Sequence, residues 1–188
     1  MIKTSSLINI LKKNNCNFYS GVPDSVLKEF SSLLESTEKK NHIIAANEGA
    51  AVAIGIGHYL ATKKLACVYL QNSGLSNALN PLISIAHKKV YSIPLVLIIG
   101  WRGSPKIKDE PQHNVKGKIT KNILNLLNIK YSIIRTNSDL KKFDKQIKIS
   151  KKNNTIVAGL LEKGTLERNK LVNSKKDFYK LDKEYFLK

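Results

Sequence analysis

The sequence predicts an α/β fold, a mostly parallel sheet of about six strands with helices on both faces. Two observations lead there. Helix-like and strand-like segments alternate along the chain, with Gly, Pro, Asn or Ser at the joins. The runs 65–70 and 93–99 are apolar without alternation, as strands are when helices cover both of their faces.

Each element follows in order. Residues 5–14 carry Leu7, Ile8, Ile10 and Leu11 at helical spacing. Residues 17–20 read as a short strand, ended by the breaker Gly21-Val22-Pro23. Asp24 is placed to cap a helix reaching about residue 36, with Val26, Leu27, Phe30, Leu33 and Leu34 on one face. Residues 42–46 form a short apolar strand. Residues 47–61 are rich in Ala, Gly and Ile and almost without charge, which predicts a helix buried on most sides. Strand 65–70, polar turn 71–74, helix 75–86 and strand 93–99 come next. Residues 100–116 are polar and interrupted by Pro105 and Pro111, so a long loop is expected. A helix over 118–127, a strand over 131–134, an amphipathic helix over 138–149 and a last strand over 155–160 complete the pattern. From Glu162 onward charge dominates, which reads as a linker or arm with one helix near its end.

Composition narrows the function. The chain has 188 residues, 42% of them apolar, enough for one packed domain with a tail. No apolar stretch approaches the roughly 20 residues that cross a bilayer. Lysines interrupt the first 15 residues where a signal peptide needs an apolar region. Cys16 and Cys67 are too few for a disulfide framework or a four-thiolate zinc site, and the reading is of a cytoplasmic protein with two buried thiols. The formal charge of +18 first suggests nucleic acid. Yet only Arg102, Arg135 and Arg168 among the 32 cations are arginines, the residue that forks onto phosphates and bases. Between Ile43 and Gly100 the cations are Lys63, Lys64, Lys88 and Lys89 alone. A solvated lysine surface is expected, with neither nucleic acid nor membrane as partner. An acidic partner or an anionic substrate is compatible with the field.

Sites in parallel sheets lie at the carboxyl ends of the strands. Four polar turns fall there: 21–24, 46–49, 71–74 and 100–113. Glu48 opens the uncharged helix. It is either a simple terminal residue favoured by the helix dipole or a carboxyl held out of water that shares a proton with a ligand. Asp24 is either a helix cap or a group facing the rim. His113 is either a solvated loop histidine or an acid–base group. Arg102 follows Trp101 at a strand end and either packs on the surface or receives an anion. His42, His58 and His87 have no evident partners. Gly55-Ile56-Gly57 lacks a third glycine and lies within a helix, so the dinucleotide fingerprint fails. There is no Walker loop and no Gly-Asp-Gly metal motif, so no metal ligand is assigned to this chain.

Together the turns resemble a known family. Gly21-Val22-Pro23-Asp24-Ser25, Ala46-Asn47-Glu48-Gly49-Ala50-Ala51-Val52-Ala53, Gln71-Asn72-Ser73-Gly74-Leu75-Ser76-Asn77-Ala78 and Gly100-Trp101-Arg102-Gly103 with Asp109-Glu110-Pro111-Gln112-His113 are similar to the pyrimidine-binding domain of phosphonopyruvate decarboxylase. That enzyme uses thiamine diphosphate. The resemblance covers residues 5–164, and its glutamate and Asn-Ser-Gly motifs are shared with sulfopyruvate decarboxylase. It implies that the Glu48 carboxyl bonds to ring nitrogen N1′ of the aminopyrimidine, so that the exocyclic nitrogen takes the proton from C2. It implies cofactor contacts from Ser73, Gly74 and Asn77. Asp24 and His113 would line the substrate side and handle protons, and Arg102 and Ser25 would meet the substrate, phosphonopyruvate. The domain is expected over residues 1–164 and the charged arm over 165–188. Single-chain members continue into a second domain that binds the diphosphate and Mg²⁺. This chain is therefore expected to work with a diphosphate-binding partner subunit, which supplies the Mg²⁺ ligands, in a homodimer or heterotetramer. The alternatives are the alpha subunit of sulfopyruvate decarboxylase and a non-catalytic binding protein of the same fold.

Overall fold

The computed structural model describes residues 1–105 and 107–168. The chain runs α1 (Thr4–Lys13), β1 (Phe18–Gly21), α2 (Lys28–Thr37), β2 (His42–Ile44), α3 (Glu48–Thr62), β3 (Ala66–Gln71), α4 (Leu75–Pro81), β4 (Leu95–Gly100), α5 (Pro111–Leu126), β5 (Lys130–Ile134), α6 (Asn137–Asn153) and β6 (Val157–Leu161). A π-helical turn, Leu82–Ala86, extends α4. The six strands form one sheet in the order β2-β1-β3-β4-β6-β5, and every pairing is parallel.

The doubly apolar strands are explained by two cores, one on each face. Cys67 and Tyr69 of β3 and Val96 and Ile98 of β4 point to α1, α2 and α6, where they meet Leu11, Phe30 and Phe143. The intervening Ala66, Val68, Leu70, Leu95, Leu97 and Ile99 point to α3, α4 and α5, where they meet Val52, Leu75 and Leu124. Each fully buried leucine of this kind contributes about 1.5–3 kcal/mol. Both cysteines are buried, and burial pushes both thiols up.

The topology positions the site. After β1 the chain turns to α2 on one face, and after β3 it turns to α4 on the other. Adjacent parallel strands with diverging connections leave a crevice at their carboxyl ends. The turns carrying Asp24 and Asn72 flank that crevice.

Three expectations need correction. The helix predicted to start at Asp24 starts at Lys28, because the Asp24 carboxylate accepts from the amides of Val26 and Leu27 and holds a turn instead. The loop predicted to reach residue 116 ends at Glu110. Pro111 takes the first helical position of α5, where its missing N–H costs nothing, and His113 is therefore helical. Helix α3 is buried on one side only, through Ala51, Val52, Gly55 and Ile56. Its other side, with Ala53, Gly57 and Leu60, is exposed, as are Ile43 and Ile44 on the edge strand β2. At the far end, Thr165 and Leu166 are buried, and Leu166 bridges to Ile2. The remainder of the expected arm, 169–188, lies outside the described residues.

Gly21 is needed for a close approach. The Tyr69 ring crosses above it, edge-on to Phe30 at 5.8 Å, and its hydroxyl meets His42 Nε2 at 2.8 Å on the far strand. Burial holds the His42 imidazole below its ordinary value. A β-carbon at Gly21 would overlap both the ring and the carbonyl of Tyr69. Gly21→Ala should therefore destabilise the fold by about 3 kcal/mol, as overpacking a rigid core does. Chemical denaturation of the two chains checks this.

Candidate active site

Glu48 is the first residue of α3, immediately after the cap residue Asn47, whose Oδ1 accepts from the Ala50 amide at 2.9 Å. Its carboxyl lies across Gly74, and a β-carbon there would occupy the same space. Oε2 accepts from Asn77 Nδ2 at 2.9 Å, while Oε1 makes no protein hydrogen bond among the described residues. The side chain is half-buried, so the sequestration expected of it is partial within this chain. Three of the residues named from sequence, Glu48, Gly74 and Asn77, thus come together from two helix starts. Ser73 adjoins them, its hydroxyl accepting from Gln71 Nε2 at 2.6 Å.

The second group gathers around Arg102. Its Nε and Nη2 fork onto the Asp109 carboxylate at 2.7 and 2.5 Å, and Nη1 donates to Ser25 Oγ at 3.1 Å. Asp109 also accepts from the amides of Gly103 and Glu110, each at 2.9 Å. The Arg102 guanidinium holds this carboxyl well below the usual carboxylate range. Sequence reading assigned Arg102 to an anionic substrate. The structure gives its fork to Asp109, which fastens the β4–α5 loop, and the sequence offers no spacing rule that joins residues seven apart in a loop.

Asp24 differs from Asp109. Oδ1 is satisfied by the two backbone amides, Val26 and Leu27, but Oδ2 is buried against the Cα of Gly100 with no partner among the described residues. Burial pushes the carboxyl up, against the pull of the backbone amides and of Arg102.

Asn72 joins the two groups. Its buried carboxamide donates to the carbonyl of Arg102 and to Thr120 Oγ1, both at 2.9 Å, and accepts from the Arg102 amide at 3.0 Å. Trp101 adds a buried bond from Nε1 to the Gly117 carbonyl at 2.9 Å. Gly103, at φ +65°, and Gly117 let the loop and α5 touch backbone to backbone. Added β-carbons would overlap the His113 and Gly103 carbonyls respectively. These contacts hold half-buried His113 at the start of α5. Lys116, one turn on, donates from Nζ to the Ser73 carbonyl at 3.2 Å. Asn72, Asp109 and Lys116 had no role assigned individually from sequence. A carboxamide in a polar turn carries no signal of whether it will be buried.

The arrangement fits an aminopyrimidine. One carboxyl with a free oxygen sits at a helix start, and a glycine leaves space beside it. The comparisons with known proteins agree. The chain matches the family described as "Thiamine pyrophosphate enzyme, N-terminal TPP binding domain" over residues 3–124 (thiamine pyrophosphate is thiamine diphosphate). It is 37% identical over 139 residues to phosphonopyruvate decarboxylase of Streptomyces viridochromogenes, which covers 74% of this chain and 34% of that protein. It is 30% identical over 145 residues to sulfopyruvate decarboxylase subunit alpha of Methanococcus maripaludis, covering 77% of this chain and 84% of that subunit. The corresponding subunit of Methanocaldococcus jannaschii is 39% identical over 101 residues, covering 54% of this chain and 58% of that subunit. The chain spans about a third of the length of the phosphonopyruvate decarboxylases it matches, 34% in each case. With the match covering most of the described fold, and with Glu48, Gly74 and Asn77 assembled at the crevice, the chain belongs to the thiamine pyrophosphate enzyme family as its N-terminal TPP-binding domain.

Proposed function

We propose that this chain is the pyrimidine-binding half of a thiamine-diphosphate-dependent decarboxylase that converts 3-phosphonopyruvate and a proton to phosphonoacetaldehyde and CO₂. The observation that carries the reading is the Glu48 carboxyl, laid on Gly74 with Oε1 free to meet a ring nitrogen. The Streptomyces relatives, at 37% and 34% identity, support the substrate. A second reading, sulfopyruvate, is supported by the 84% coverage of the Methanococcus alpha subunit.

When bound, thiamine diphosphate supplies a carbon that adds to the keto group and takes up the electrons left by departing CO₂. The chain's own residues do the rest. Glu48 holds a proton at the pyrimidine edge, with Asn77 fixing the carboxyl's orientation. Ser73 and Gly74 shape the wall on which the ring rests. Asp24, with Oδ2 buried and its carboxyl pushed up by burial, gives a proton at the substrate end. His113 shares this side. Arg102 and Ser25 act as a strap across the substrate end, because Nη1 joins the Ser25 turn to the loop that Asp109 closes. In this reading the diphosphate and Mg²⁺ are held by a partner chain in the cytoplasm, within a homodimer or heterotetramer. The exposed uncharged side of α3 and the edge strand β2, with Leu60 at 53% and Ile44 at 54% exposure, support such a partner. Residues 1–164 would be the pyrimidine domain and 165–188 an arm that begins packed against Ile2.

The chain mixed with thiamine diphosphate and Mg²⁺ should release no phosphonoacetaldehyde until a diphosphate-domain chain is added; an aldehyde assay reads this out. In the complex, Glu48→Gln should slow hydrogen exchange at cofactor C2 by at least about 100-fold, followed by NMR. Exchange at the unmodified rate would remove Glu48 from its role.

Asp24→Asn separates stability from activity. The folded carboxyl titrates above its unfolded value of about 3.9. Its favourable contribution is complete below that pH and is lost as pH rises through the folded value. The Asn variant does not titrate. It should therefore be the more stable chain at pH 7–8, with the advantage shrinking towards pH 4, while decarboxylation falls about 100-fold. Urea denaturation at the two pH values and the aldehyde assay measure the two halves.

A further inference from the structure

We infer that Lys116 is the group that receives the β-anion of the substrate, and so selects phosphonopyruvate over a keto acid without a β-anion. The inference rests on the decarboxylase reading and deepens it. Arg102 is the evident cation of the rim, but its charge is already matched. Nε, Nη2 and Nη1 all have partners, and the Asp109 carboxylate on the fork is tied by two further backbone amides. A phosphonate entering there would have to displace a carboxylate that accepts four hydrogen bonds. Lys116 is placed differently. Its ammonium has three donors, and the Ser73 carbonyl at 3.2 Å is a neutral acceptor. Among the described residues no carboxylate lies within ion-pair distance of it. Its charge is therefore uncompensated, and two donors remain for a ligand.

Its position joins the two halves of the site. Lys116 follows His113 by three residues on α5, so the two share a helix face, and long helical side chains lean towards the N-terminus. Ser73, which the ammonium touches, precedes Gly74, on which Glu48 lies. The cation thus touches the turn that carries Gly74, on the same helix face as His113. Asn72 and Thr120 fix this placement, since Thr120 Oγ1 donates to the Lys116 carbonyl at 2.6 Å while accepting from Asn72.

The test uses the chain in complex with its diphosphate-domain partner, as unmodified protein, Lys116→Gln and Lys116→Arg. Binding of 3-phosphonopropionate, which cannot be decarboxylated, is measured by calorimetry in the presence of cofactor. Lys116→Gln should weaken it at least about tenfold, the loss of a charge-assisted hydrogen bond, and Lys116→Arg should retain it. In turnover, Lys116→Gln should reduce the kcat/KM ratio of phosphonopyruvate over pyruvate by a similar factor while leaving thiamine diphosphate affinity unchanged. Equal analogue affinity in Lys116→Gln and the unmodified complex would overturn the assignment to Lys116. Lysine-dependent analogue binding without any decarboxylation would uphold the anion site and overturn the decarboxylase reading instead.

Discussion

The backbone ladder between β3 and β4 runs out at Gln71 and Gly100, and one carboxamide carries it further. Asn72 bonds both the amide and the carbonyl of Arg102, as the next strand residue would, and spends its remaining N–H on Thr120 of α5. All three partners are met from a side chain only 4% exposed. In so dry a place each bond matters chiefly because leaving its group unpaired is costly. The consequence is geometric. Two strand ends and one helix are held at a fixed spacing, and Ser73, Gly74, Asn77, Arg102 and His113 are mounted on them.

From that staple the site divides into two chemically distinct ends. On the cofactor end, small residues decide the geometry. Gly74 admits the Glu48 carboxyl, and Gly49 lets the start of α3 come near the Asn77 carbonyl. Around Arg102, charges decide it. Two aspartates stand near one arginine and are treated in opposite ways. Asp109 receives the fork and is held ionised, whereas Asp24 keeps one oxygen buried without a partner and is driven towards its protonated form. Environment, not residue type, holds one carboxyl low and pushes the other up. An orphaned buried oxygen destabilises a fold, and its retention at a crevice between diverging strands is consistent with use.

Farther along the same sheet edge, the buried Glu162 at the end of β6 receives Arg135 through two bonds and Ser104 through one. Ser104 follows Gly103 in the loop closed by Asp109. The start of the loop is thus tied twice, to α5 through Gly103 and to β6 through Ser104. Such fastening holds the start of a polar segment whose described residues form no regular structure.

Much of this was legible in the sequence because it depends on local rules. Unbroken apolar runs at 65–70 and 93–99 specify strands covered on both faces, and the parallel sheet follows. The four polar turns fell at the strand ends, and Glu48, Gly74 and Asn77 were picked from their motifs. Local rules failed elsewhere. Asp24 has the chemistry of a helix cap, yet it closes a turn. The α5 helix starts at Pro111 through a proline that looked like a breaker. The uncharged α3 was read as enclosed, although a single chain covers one side of it. Composition records that a surface is apolar but not whether this chain or another one buries it. Above all, the partner of Arg102 could not be read. A guanidinium satisfies whichever carboxylate the fold brings within 3 Å, and only the tertiary arrangement of Gly103, Asp109 and Ser25 decides that it fastens a loop and leaves Lys116 uncompensated.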